Sequence, residues 1–181
     1  GGPDEIFRWF LAAILFGAPI RESSAEKTYR IFISARLDSA HRICAATWEQ
    51  LVQHLDAGGY TRYDFKTATK LLNVMGAIMA RYGGSLERLH EVSRDYEDLE
   101  ARIRDLAPGI GPATANIFLR ELRGVWPKAT PPLSELAQVG AEHLKLLGPG
   151  LSPEEALRVL EGHWRAQPVP GYDFADLEAA L

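Results

Sequence analysis

Between Arg62 and Tyr82 apolar side chains recur at steps of three and four: Phe65, Ala68, Leu72, Met75, Met79 and Tyr82. That period puts them on one face of a long helix. Leu71, Val74 and Ile78 widen the stripe, which predicts a helix lying between others, and Gly83-Gly84 ends it. Residues 5–16 are apolar on all sides, the pattern of a central helix covered from several directions. Ser23-Ser24-Ala25-Glu26 fits a capping box that opens a helix running to about Leu37. Thr47-Trp48-Glu49-Gln50 repeats the device and opens a helix that Gly58-Gly59 stops. Shorter helices are predicted over 86–91 and 95–106, then a helix over 112–123. Pro127, Pro131 and Pro132 break the chain, and helices over 133–147 and 153–165 follow, the last opened by Ser152-Pro153-Glu154-Glu155. No alternating run of useful length predicts a strand. The expected class is all-α.

The chain has 181 residues and is 46% hydrophobic and 24% charged, ordinary values for a packed globular protein rather than a disordered one. Its formal charge of −4 gives no global basic field, so a nucleic-acid partner requires a local patch. A single cysteine, Cys44, excludes an internal disulfide framework and a cysteine-held cluster. The five histidines show no HExxH or similar ligand spacing. The apolar run at 9–20 falls short of the ~20 residues that span a bilayer, and Asp4 and Glu5 do not suit a signal peptide. No membrane association and an intracellular site, cytoplasmic or nucleoid-associated, are therefore expected.

The most informative stretch is LAPGIGPATANIF at 106–118. Glycines at 109 and 111 permit a tight helix-to-helix turn with positive φ angles that side chains oppose. The unbonded amides that open the following helix, with the positive end of its dipole behind them, suit a phosphate oxygen. From the glycines alone, a plain corner at a helix end is the favoured reading.

With a helix on either side, this stretch resembles the helix-hairpin-helix of the base-excision DNA glycosylases, particularly the endonuclease III-like group. Ala107-Pro108-Gly109-Ile110-Gly111-Pro112-Ala113-Thr114-Ala115 follows that family's L-P-G-[VI]-G-x-[K or other]-T-A pattern. An opening apolar helix, a capped helix about twenty residues on, a glycine-then-long-helix element at 58–82 and a Trp-Pro after the hairpin recur in the same order, so the resemblance covers about residues 5–148. It implies a two-lobed helical glycosylase fold, with a helical barrel over 23–113 and a second lobe of 1–22 plus 114–181. It implies double-stranded DNA as partner, gripped at one phosphate by Pro108, Gly109, Ile110, Gly111, Ala113 and Thr114. It also implies a monovalent cation on the carbonyls of Asp105, Ala107 and Ile110.

The resemblance breaks where the chemistry sits. The lysine that forms a Schiff base in lyase-competent relatives corresponds to Ala113. The family's aspartate segment maps to Ala129-Thr130-Pro131-Pro132-Leu133, and no carboxylate lies between Gly124 and Ser134. Glu135 is the first acid, and Thr130 can orient water but carries no charge. The glutamine that fills the gap left by a flipped base maps near Ala18, and the four C-terminal cysteines of the iron–sulfur cluster are missing. Three functions stay open at this point. They are a DNA-binding protein of this type without the standard glycosylase and lyase chemistry, a monofunctional glycosylase using a displaced carboxylate such as Glu135, and a helical interaction module. Arg102, Arg104, Arg120, Arg123 and Lys128 around the hairpin, and Arg62, Lys66 and Lys70 along the long helix, read equally as a phosphate patch or as solvated helix faces.

Overall fold

The structure is a computed structural model that describes residues 2–181. Among them it forms helices and no strand. In chain order these are α1 (Pro3–Phe16), α2 (Glu22–Ser34), α3 (Ala40–Ala45), α4 (Trp48–Gly58), α5 (Asp64–Tyr82), α6 (Leu86–Val92), α7 (Tyr96–Arg104), α8 (Pro112–Arg120), α9 (Glu135–His143), α10 (Pro153–Ala166) and α11 (Phe174–Ala180). The all-α expectation holds. No helix among the described residues is long and apolar enough to cross a membrane.

Local chemistry explains most boundaries. Thr47 accepts the Gln50 amide while Gln50 reaches back to the Thr47 amide, and Ser152 and Glu155 do the same at the start of α10. Gly59 and Gly83 end α4 and α5 in the left-handed conformation. The Ser23–Glu26 box does not form. α2 starts one residue before it, after an extended Arg21, so both serines lie within its first turn. There the Ser24 carbonyl accepts the Thr28 hydroxyl at 2.8 Å. α9 is shorter than its predicted span, and α3 and α11 are additions.

Contacts divide the chain into two units, one ending at Ala129 and the other Thr130–Leu181. In the first, α1 is buried through Phe10, Leu11, Ile14 and Leu15 and packs on α2, α6 and α8. The Phe10 and Phe118 rings meet edge to face at 4.8 Å, and the Trp9 indole donates to the Phe118 carbonyl at 3.1 Å. The buried Tyr60 hydroxyl donates to the Leu15 carbonyl at 2.6 Å, tying the end of α1 to the segment that leads into α5.

α5 packs on α3, α4 and α6 through Ala68, Leu71, Val74, Met75, Ile78 and Tyr82. The expected stripe is thus rotated: Leu72 and Met79 are only half-buried, and Phe65 is 60% exposed against the Trp48 ring. The second unit has its own core of Leu133, Ala137, Ala141, Leu147, Ala156 and Leu160. Within it the Gln138 side chain donates to the Leu151 carbonyl at 2.9 Å.

Candidate nucleic-acid interface

The turn from α7 to α8 is built from alternate inward and outward residues. Leu106, Ala107 and Ile110 face the core at 3%, 6% and 5% exposure, whereas Pro108, Gly109, Pro112 and Ala113 form an exposed lip. The Ile110 amide donates to the Ala107 carbonyl at 3.2 Å and closes the turn. Pro112 takes the first position of α8, where its missing amide hydrogen costs nothing.

The two glycines have different reasons to be there. Gly109 sits at φ +92°, where a side chain is strained, and a Cβ on it would lie 3.4 Å from Cε of Lys70. Gly111 is extended (φ −100°, ψ 178°), a conformation any residue adopts, so the expectation of a positive φ there is corrected. A Cβ on Gly111 would have nothing within 4 Å. Neither backbone nor packing within the chain requires a glycine at 111.

The first intrahelical bond of α8 runs from the Ala115 amide to the Gly111 carbonyl. The amides of Gly111, Ala113 and Thr114 ahead of it donate to no group among the described residues. They stand at the positive end of the helix dipole, the arrangement that receives an anion. The Thr114 side chain itself is buried at 3%, beneath Gly17 at the end of α1, where a Cβ would overlap the Thr114 hydroxyl. Of Thr114, only the backbone is available to a ligand.

Two of the three carbonyls expected to hold a cation already accept hydrogen bonds within the chain. The Arg81 guanidinium donates to the Asp105 carbonyl at 3.2 Å and to the Asp105 carboxylate at 2.6 Å, and the Ala107 carbonyl accepts from Ile110. A guanidinium charge on the first carbonyl repels a second cation, so this donor set fits a monovalent ion poorly. No cluster of three or more His, Cys, Asp or Glu side chains among the described residues is arranged to hold a metal.

Several basic residues near the hairpin are neutralised by their own chain. Arg102 pairs with Asp98 at 3.0 Å, Arg104 with Glu100 at 3.4 Å and Arg120 with Glu121 at 3.4 Å. The Lys128 ammonium donates to the carbonyls of His90 and Glu91, at 2.8 and 3.1 Å, and so caps α6. The His90 ring, stacked on Trp126 at 4.7 Å, has its pKa lowered by burial and by that ammonium. Thr130 and Glu135 belong to the second unit. Thr130 is exposed, and Glu135 is an exposed acid in the first turn of α9, after the Ser134 cap.

Sequence reasoning missed two juxtapositions, Lys70 on Gly109 and Arg81 on Asp105. Their only sequence signal is the basic residues of α5, which local spacing cannot connect to the hairpin.

No family model matches the sequence, and no curated protein matches it at significant similarity. Solved structures do match the fold. One is the H. pylori 3-methyladenine DNA glycosylase MagIII bound to 1,N6-ethenoadenine. Its TM-score is 0.63 at 16% identity, over 96% of this chain and 80% of that one. Another is endonuclease III trapped as a covalent intermediate with DNA. There the TM-score is 0.52 at 20% identity, over 93% of this chain and 68% of that one. The chain has the fold of the helix-hairpin-helix DNA glycosylases.

Proposed function

We propose that this chain is an intracellular protein of the base-excision type that binds double-stranded DNA through residues 108–114, without the standard glycosylase and lyase chemistry. One observation carries the binding half. Three amides at the start of α8, those of Gly111, Ala113 and Thr114, have no acceptor among the described residues, and the fold does not use the space a side chain on Gly111 would fill. A phosphate satisfies the amides and occupies the space. The lobe division at 23–113, against 1–22 plus 114–181, belongs to this reading.

The catalytic half rests on the side chains at the positions that matter. Ala113 stands exposed on the lip, and a methyl group cannot attack a sugar carbon. Thr130 is neutral at the segment where the family places its aspartate. Glu135 is accounted for by α9, whose first turn favours an acid. Phosphate contacts position a protein without reading bases, so binding is expected to be weak, salt-sensitive and largely independent of sequence.

The test is a fluorescence titration of undamaged and damaged duplexes at low salt. It is run beside an excision assay on the same panel and borohydride trapping on an abasic duplex. Binding without excision or a trapped adduct is expected. Excision that Glu135→Gln abolishes would establish the displaced-carboxylate reading. A flat titration at low salt would leave only a helical interaction module.

A further inference from the structure

Three cations in and just before α5 differ from those already described. Arg62 lies in the turn before α5, and Lys66 and Lys70 follow at steps of four, one helical turn apart. Arg62 and Lys66 are exposed, and Lys70 is half-buried with its methylene stem on Gly109. Among the described residues none of the three has a carboxylate partner, in contrast to Arg102, Arg104 and Arg120. The nearby acid of the same element, Asp64, accepts the Phe65 amide at the start of α5. Like charges at this spacing oppose the helix that carries them. Burial and the neighbouring Lys66 both push the Lys70 ammonium down from its ordinary value. The fold therefore holds a row of unneutralised cations, one of them partly desolvated, that ends on the outward glycine of the hairpin.

We propose that Arg62, Lys66 and Lys70 form a track for the DNA phosphate backbone that runs along α5 into the hairpin, Lys70 supplying the positive charge absent from residues 107–119. The inference rests on the duplex-binding reading and deepens it by naming the side chains that carry the electrostatic part of the affinity. At its far end the track enters a cavity of about 550 Å³ lined by Arg21, Arg62 and Tyr63, where the Arg62 guanidinium lies 5.8 Å from the Tyr63 ring centroid. The charge-paired Arg102 and Arg104 are left as surface ion pairs of α7.

The test is the salt dependence of duplex affinity, measured by fluorescence anisotropy between about 50 and 200 mM salt. Proteins compared are the wild type, Lys66→Gln, Lys70→Gln, their double variant, Lys70→Arg and Arg104→Gln, each checked by its thermal melt. Each lost phosphate contact removes about 0.9 from the slope of log K against log salt. One such step is expected for each Gln variant and two for the pair, with the wild-type slope for Arg104→Gln and Lys70→Arg. If Lys70→Gln fails to fold, the exposed Lys66→Gln alone decides. An unchanged slope in variants of a protein that binds duplex overturns the track and leaves the hairpin reading standing. A wild type that does not bind duplex at low salt overturns both.

Discussion

Gly17 ends α1 where α8 begins, in an ordinary helical conformation (φ −75°), so its lack of a side chain reflects space and not backbone strain. A Cβ there overlaps the Thr114 hydroxyl, and its next neighbour is the Ala13 carbonyl of its own helix at 2.9 Å. Overpacking of a buried contact costs about 1–3 kcal/mol. Against this, replacing glycine in a helical conformation gains about 0.4–1 kcal/mol from the unfolded chain. Gly17→Ala is therefore expected to lose about 1–2 kcal/mol net, or roughly 2–8 °C in melting temperature for a chain of this size. Thr114→Ala removes the obstructing hydroxyl, so the double variant should recover about 1 kcal/mol or more relative to the sum of the singles. Because Thr114 stands in the first turn of α8, Gly17→Ala should also weaken duplex binding, and the double variant should restore it. The assay is a double-mutant cycle by urea denaturation, paired with duplex titration. Strict additivity would refute the close approach of α1 and α8 on which the hairpin's placement rests.

Met75, fully buried in α5, should lose about 2–5 kcal/mol as Ala, whereas Leu72→Ala should cost clearly less; equal losses would contradict the observed rotation of that helix. Gly109→Ala should cost about 1–2 kcal/mol from its positive φ. Gly111→Val should leave helix content intact by circular dichroism and weaken duplex binding, and wild-type binding would show that DNA does not use the space. His90 has a folded pKa below its ordinary value of about 6.5, so the unfolded chain takes up the proton first as pH falls. Its contribution is thus present above about pH 6.5 and is lost as pH drops toward the folded value. Thermal melts at descending pH should show this loss, and His90→Phe, which keeps the ring against Trp126, should remove that component.

The parts of this molecule visible in the sequence are those set by neighbours a few residues apart. Thr47 with Gln50, Ser152 with Glu155, and the Pro-Gly-Ile-Gly-Pro turn each carry their own hydrogen-bonding logic, and each stands where expected. The Ser23–Glu26 box met the same pattern and failed, because the extended Arg21 starts the helix before those serines can cap it. α5 shows a second limit. Two overlapping apolar stripes both satisfied the helical period, and only the packing of α3, α4 and α6 decided which was buried. α3 and α11, of six and seven residues, are short elements that the local apolar pattern does not single out. At the site, the residue types were readable and the partnerships were not. The Arg81 contact to Asp105 and the Lys70 contact to Gly109 join elements far apart in the chain.

The most direct test of the central claim is a backbone-amide NMR titration of the protein with a short undamaged duplex at low salt. The largest shifts should fall on Gly109, Gly111, Ala113 and Thr114, and should fade as salt is raised. Shifts that leave these four amides unmoved while affecting other surfaces, or no shifts at all, would contradict a phosphate seat at the hairpin.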